Sequence, residues 1–275
     1  MGKFTRQGIL QQLREKKQQK EPIIIGASGV GLIAKTADMA GIDIIMAYCT
    51  GPVRLNGNFG LVSYMGYVDC NGISIQMGHK MVDRVQNTPM VAGVGSADPY
   101  RDIDLLVDEL LDIGFSGITN VPTVGGHDGA MLESLERHGV GYNCEVELIR
   151  KCRNRNIFTI AYAFNQEQTR AMVQAGVDIV CPHAGLTADR TINHTRTPSV
   201  EEAAEEIAKM KQIAFKENPE VLVACHGGPF VDPDSVEKGL KLSDTGIFVG
   251  ASTIERIPVE KAIFDLITDF KQITL

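Results

Sequence analysis

Val221-Leu-Val-Ala-Cys-His-Gly-Gly-Pro229 is an apolar run of strand character that stops abruptly at His226 and two glycines. Gly246-Ile-Phe-Val-Gly-Ala-Ser252 is built the same way. Adjacent strands ending in Gly-Gly and Gly-Ala-Ser leave backbone N–H groups with no side chain in the way, which suits the oxygens of a phosphate or similar anion. The loops after strands 7 and 8 of a (β/α)8 barrel commonly hold such a group. The fold therefore turns on whether six strand-helix units precede these two runs.

From residue 22 onward, short β-rich runs alternate with helical ones. Strands are expected at 23–27, 42–47, 89–94, 117–120, 158–163 and 177–181, which makes 221–225 the seventh and 246–249 the eighth. Helices follow at 29–40, after Asp98-Pro99 read as an N-cap with proline in the first turn, at 128–138 opened by Asp128, and at 143–155. Asn165 with Gln168 and Ser199 with Glu202 have capping-box spacing, and Val200, Ala203, Ala204, Ile207 and Met210 form an apolar stripe. Asp232-Pro233 and Ile257-Pro258 open the last two helices. Strands that are apolar throughout, rather than alternating, are buried on both faces. The expectation is an α/β single-domain TIM barrel over 1–275, with a short helix at 1–20 whose basic face is solvated or, alternatively, meets another subunit, and a long Gly-rich loop at 48–72 after strand 2. An open doubly wound sheet is disfavoured, because Gly26-Ala-Ser-Gly-Val-Gly31 is offset from the dinucleotide fingerprint and no acidic residue ends strand 2.

Composition narrows the function. With 44% hydrophobic and 22% charged residues and a formal net charge of -7, a general nucleic-acid binder is excluded, since backbone affinity rests on clustered Lys and Arg. No apolar run has membrane-span length and no signal-type segment opens the chain, so a cytoplasmic protein is expected. The six cysteines contain no C-x-x-C pair and read as reduced thiols.

Asp98-Pro-Tyr-Arg101, Asn120-Val-Pro-Thr123, Gly139-Val-Gly-Tyr142 with Glu145, His183-Ala-Gly-Leu-Thr187, His226-Gly-Gly-Pro229 and Gly250-Ala-Ser-Thr-Ile-Glu-Arg256 occur in this order. Together they resemble the phosphoenolpyruvate hydrolase-like family, over about 23–263. The resemblance extends to the phosphoenolpyruvate mutase and isocitrate lyase superfamily. It implies a TIM barrel, Mg-dependent chemistry on a phosphonopyruvate-like or other 2-oxo acid, and a homo-oligomer in which the last helix packs on a neighbour. Two departures stand out. Strand 3 ends Gly93-Val-Gly-Ser96 with no Asp-x-Asp, and the superfamily's Lys-Cys-Gly segment is missing.

In a barrel the catalytic groups come from the C-terminal strand ends. His226 and His183 are the expected acid, base or oxygen-contacting groups, with packed histidines as the alternative. Gly227, Gly228, Gly250, Ala251 and Ser252 are the expected anion cradle, against ordinary tight turns. Asp98 is a candidate carboxylate or merely a cap, and Arg101 a candidate clamp for a substrate carboxylate. Asn120 and Thr123 are candidate polar contacts. Lys35 would act only if desolvated, as a Schiff-base lysine. The 48–72 loop, with Tyr64, Tyr67, Asp69 and Asn71, reads as a lid or as a subunit-contact arm. Asp69 is a candidate Mg contact through water, and the family pattern adds Glu145. Three readings follow: an enolate-forming hydrolase or lyase acting on a small phosphorylated or phosphonate acid, a non-catalytic module sensing such a metabolite, and a lysine-dependent aldolase.

Overall fold

The computed structural model describes residues 2–188 and 197–275. Its centre is one parallel sheet: β1 (Ile23–Ala27), β2 (Ile44–Ala47), β3 (Met90–Gly93), β4 (Gly117–Thr119), β5 (Phe158–Ala163), β6 (Ile179–Pro182), β7 (Leu222–Val223), β8 (Cys225–His226) and β9 (Ile247–Gly250). The hydrogen-bonded order is β7-β6-β5-β4-β3-β2-β1-β9-β8. β7 and β8 are halves of one strand, separated only by Ala224. The first half pairs with β6 and the second with β9, so this strand joins the two edges of the sheet and closes it into a barrel.

Alternate residues on each strand face the lumen. Ile23, Ile25 and Ala27 of β1, Ile44 and Met46 of β2, Phe158, Ile160 and Tyr162 of β5, and Ile247 and Val249 of β9 share one interior cluster. The intervening residues, such as Ile45, Ala47 and Ala92, pack outward against Met77, Leu106 and Leu110 of the surrounding helices. This double burial is why the strands read as continuous apolar runs.

The leading helix, Arg6–Gln19, seals the N-terminal end of the barrel: Ile9, Leu10 and Leu13 are buried in the interior cluster. Each such side chain is worth about 1.5–3 kcal/mol on full burial. Its basic face is not simply solvated as expected. Arg6 donates to both Asp178 oxygens, and Lys16 pairs with Asp43 at 2.6 Å.

Other expectations change too. Asp98-Pro99 does not open a helix; the helix is Ile103–Ile113, capped by Asp102, whose carboxylate accepts from the N–H groups of Asp104 and Leu105. Asp128 occupies the N-cap position of Gly129–Arg137 but its side chain makes no capping bond. Asn165 caps Gln166–Gln174, while the Gln168 side chain turns to Phe164 N–H and Gly125 O, leaving that capping box half formed. Ser199 and Glu202 form the full box at the head of Val200–Glu217. The 48–72 stretch is largely helical, with Thr50–Leu55, a 3-10 turn at Gly60–Tyr64, and Asp69 capping Cys70–Met81. No helix among the described residues is long and apolar enough to cross a membrane.

Candidate active site at the barrel mouth

A cavity of about 90 Å³ opens at the C-terminal end of the barrel. Thr50, Arg54 and Tyr64 from the segment after β2, Tyr162 from β5, His183 after β6, His226 of β8, and Ala251, Ser252 and Arg256 after β9 line it. The strand ends thus converge where barrel chemistry is assembled.

The two histidines are the centre of the site, with ring centroids 4.8 Å apart in an edge-on arrangement. The His226 Nδ1 lies 2.7 Å from the carbonyl of Val249. A carbonyl only accepts, so Nδ1 carries the proton and Nε2 is left as an acceptor. Burial, opposed by that hydrogen bond and reinforced by the nearby Arg54 charge, lowers the His226 pKa to about 4. His183 has the complementary tautomer, because its Nδ1 accepts from the Gly185 N–H at 3.1 Å and its proton sits on Nε2. Burial and the neighbouring His226 push its pKa well below the usual histidine value. Phe164 stacks on His183 at 4.7 Å and Tyr162 meets the His226 ring edge-on at 5.0 Å, which fixes both rings.

Arg54 supplies the charge. It is 9% exposed and donates through Nε (2.9 Å) and Nη2 to Glu255 Oε1, an ion pair spanning 201 residues. Glu255 is fully buried and its second oxygen has no hydrogen-bond partner. Arg256, 3% exposed, holds Glu260 with contacts of 2.8 and 2.7 Å. Arg54 lies in a helix made possible by a close backbone crossing. A Cβ on Gly51 would stand 2.7 Å from the Cα of Gly29, so neither glycine has room for a side chain.

The glycines after β8 serve packing more than anion binding. Gly227 and Gly228 have φ of 77° and 54°, and the Gly228 N–H is spent on the Gly185 carbonyl at 2.8 Å. They let the turn after β8 nest against the turn after β6. Ala251 and Ser252 do face the cavity; Gly250 ends β9 behind them.

Of the other expected residues, Thr123 lines the mouth cavity, and most of the rest gather beside it. Asn120, Thr123 and Glu145 form a buried network in which Glu145 accepts from Asn120 Nδ2 (2.6 Å), Thr123 Oγ1 (2.7 Å) and Val124 N–H (2.7 Å). Burial outweighs these donors and raises the Glu145 pKa to about 7. Asn120 further pins the end of β5, accepting from Tyr162 N–H at 2.8 Å. Beside the mouth, a second cavity of about 550 Å³ is lined by Tyr67, Asp69, Asn71, Asp98, Arg101 and Glu145. There Arg101 bridges Asp69 and Asp98 (2.6 to 2.9 Å), so it is a clamp for protein carboxylates, not a reader of the mouth cavity. Asn71 bonds Asp98 at 2.8 Å and Gly95, tying the helix Cys70–Met81 to the loop after β3. The Arg101 hydrogen bonds hold Asp69 below the usual carboxylate range; Asp98 is held there by Asn71, Tyr100 N–H and Arg101 in spite of burial. Lys35 lies exposed on the outer helix Gly31–Met39 and does not line the cavity, which removes the geometric basis for an aldolase lysine.

These donors do not fit a carboxylate-held divalent cation. Among the described residues no three His, Cys, Asp or Glu side chains come together as metal ligands. A guanidinium already stands between Asp69 and Asp98, Glu145 has donors on both oxygens, and Glu255, engaged by Arg54 through Oε1, keeps an unpartnered Oε2 but does not line the cavity. Mg keeps octahedral oxygen ligation and needs at least one carboxylate turned toward it.

Tyr48, Thr50, Arg54 and Tyr162, which line the cavity, were not among the residues expected from sequence, and Arg256 stood there only as the end of a motif. Tyr48 and Tyr162 were reachable by applying the strand-end rule to β2 and β5. Arg54 carried no local signal, because its partner is remote in sequence.

Fold and site together define a TIM-barrel protein with a small cavity at the C-terminal end of the barrel. The model of the phosphoenolpyruvate hydrolase-like family matches residues 8–273, and the chain belongs to that family. The ToMV susceptible protein tm-1(GCR26) of Solanum lycopersicum is 35% identical over 269 residues, covering 97% of this chain and 36% of its own length. The chain therefore spans about a third of that relative. Among solved structures, phosphonopyruvate hydrolase in complex with oxalate and Mg superposes with a TM-score of 0.60 at 18% identity, over 98% of this chain and 88% of its own. A 2,3-dimethylmalate lyase of the PEP mutase/isocitrate lyase superfamily gives 0.58 at 15%, over 96% and 87%. At these identities the likeness establishes the shared barrel fold.

Proposed function

We propose that the chain is a hydrolase or lyase that cleaves a carbon-phosphorus or carbon-carbon bond beside the keto group of a small 2-oxo acid, through an enolate. The observation that carries this reading is the mouth cavity itself, which sets a buried Arg54 beside two uncharged histidines of opposite tautomer. Arg54 would take the acid group. His226 Nε2 would orient the attacking water and accept its proton, the bond pair leaving as the enolate, which His183 Nε2–H would face. A histidine with a pKa near 4 is a weak base, so its contribution is mainly orientation. The phosphonopyruvate hydrolase and dimethylmalate lyase neighbours act on acids of this size, which supports the class. The test is phosphorus NMR with phosphonopyruvate and, separately, phosphoenolpyruvate, with and without Mg. Release of inorganic phosphate that disappears in His226→Ala is the expected result; no turnover of either compound, alongside intact folding, counts against it.

One observation favours a second reading, a phosphometabolite-sensing module. Among the described residues no carboxylate lines the mouth cavity: Glu145 is held by three donors to one side and Glu255 lies behind Arg54, which leaves no strong base facing a ligand. Ligand resonances that broaden without new species would select it.

The chain would work as a homo-oligomer. The last helix, Ile257–Lys271, has no buried residue, and Ile263, Phe264 and Phe270 are 55%, 71% and 60% exposed. So much apolar surface on one helix suits a contact with a second copy. A monomer in light scattering at micromolar concentration would refute this.

A further inference from the structure

We propose that the mouth cavity holds its acid ligand without a divalent cation, the oxygens that carry the enolate charge being bound instead by the hydroxyls of Thr50 and Tyr162. This rests on the reading of the cavity as a small-acid site. Thr50 and Tyr162 are 5% and 3% exposed and both line the cavity; the Thr50 hydroxyl has no hydrogen-bond partner, and the Tyr162 hydroxyl has none within bonding geometry, the Tyr48 side chain standing close by. Folded interiors rarely leave a buried hydroxyl unpaired, because the loss of hydration is uncompensated. Two such groups facing one cavity are donors awaiting acceptors.

Their placement suits that task. Tyr162 is the last lumen-facing residue of β5, and its backbone is pinned on both sides: its N–H donates to Asn120, and its carbonyl accepts from the Tyr142 hydroxyl at 2.5 Å. Its ring rests against His226. Thr50 opens the short helix that carries Arg54 one turn later. The donors are therefore fixed before a ligand arrives, and donors that need no rearrangement stabilise developing negative charge most effectively. Burial also keeps the Tyr162 phenol protonated. His183 Nε2–H adds a third donor, and Arg54 balances ligand charge. Where related chemistry uses a metal to hold two adjacent oxygens, this chain offers hydroxyls, and its carboxylates are engaged elsewhere.

Oxalate is the probe, a planar dianion with the adjacent oxygens of a pyruvate enolate. Its binding to the full chain is measured calorimetrically after metal removal, in EDTA and again in excess Mg, for the unaltered protein, Tyr162→Phe and Thr50→Val. Both substitutions preserve side-chain shape, and thermal melts confirm folding. The expected result is binding in EDTA that Mg leaves unchanged, weakened about tenfold by each substitution, the loss of one hydrogen bond to a charged acceptor. Binding that appears only with Mg, or variants that bind like the parent, would overturn the hydroxyl assignment while leaving the small-acid site standing. No binding in either buffer would overturn both.

Discussion

Glu145 is the residue whose replacement should report most sharply on the balance of forces in this barrel. Its carboxyl is 2% exposed and receives three donors, yet burial prevails and its pKa stands at about 7, against an ordinary 4.5. A carboxyl whose folded pKa is raised contributes stability at pH below its unfolded value and loses it as pH rises through the folded value. The window is therefore about pH 4.5 to 7, and at about 1.4 kcal/mol per pH unit the full effect is about 3 kcal/mol. Between about pH 5 and pH 8 it amounts to about 2.5 kcal/mol. His226 works against it: its folded pKa, about 4, lies below the ordinary 6.5, so its contribution is lost as pH falls over an overlapping range. The comparison must therefore be between the unaltered protein and Glu145→Gln, which removes the carboxyl titration and keeps the histidines. Urea denaturation at both pH values should give a stability difference between the two proteins that changes by about 2.5 kcal/mol, the variant gaining ground at high pH. The variant should also show a constant penalty of about 1–3 kcal/mol, because its amide N–H must face one of the three existing donors. Parallel pH curves would refute the reasoning and show that Asn120, Thr123 and Val124 overcome burial and keep Glu145 ionised.

Further outcomes can be checked independently. Glu255→Ala strands the buried Arg54 charge and should cost about 3–5 kcal/mol, read as a lowered melting temperature; an unchanged melting curve would mean that Arg54 reaches water. Gly51→Ala forces a methyl against the Gly29 backbone and should destabilise by about 1–3 kcal/mol, whereas Gly126→Ala, whose added carbon would meet only Phe164 at 3.4 Å, should be near neutral in the same assay. Nitrogen NMR of labelled histidine should show His226 neutral with its proton on Nδ1 down to about pH 5; a protonated ring at pH 6 would contradict the buried site.

The parts of this structure legible in sequence are those set by local pattern. β5 was read to its exact ends, because Phe158–Ala163 is an apolar run closed by an Asn cap. The helix at Val200 was fixed by Ser199 and Glu202 together with its apolar stripe. Asp98-Pro99 misled because the dipeptide has the chemistry of a helix start, while its carboxylate is recruited by Asn71 and Arg101. The true cap, Asp102, directly precedes the periodic run at Ile103 and was the better local candidate. In the site, His183 and His226 were found because they end strands. Arg54 and Glu255 were not, since a pair joining the loop after β2 to the turn after β9 exists only once the ring has closed. Gly227 and Gly228 meet a turn-packing need, and sequence alone does not separate that use of glycine from an anion cradle.

The helix Arg6–Gln19 precedes every strand, yet its apolar face rests on a floor to which strands from β1 to β9 contribute. During synthesis Ile9, Leu10 and Leu13 emerge long before the last strand that completes their seat. The segment is therefore a latch, joining the first residues of the sequence to a floor drawn from strands far along it. The Arg6 pair with Asp178 fastens the same latch to the residue that leads into β6.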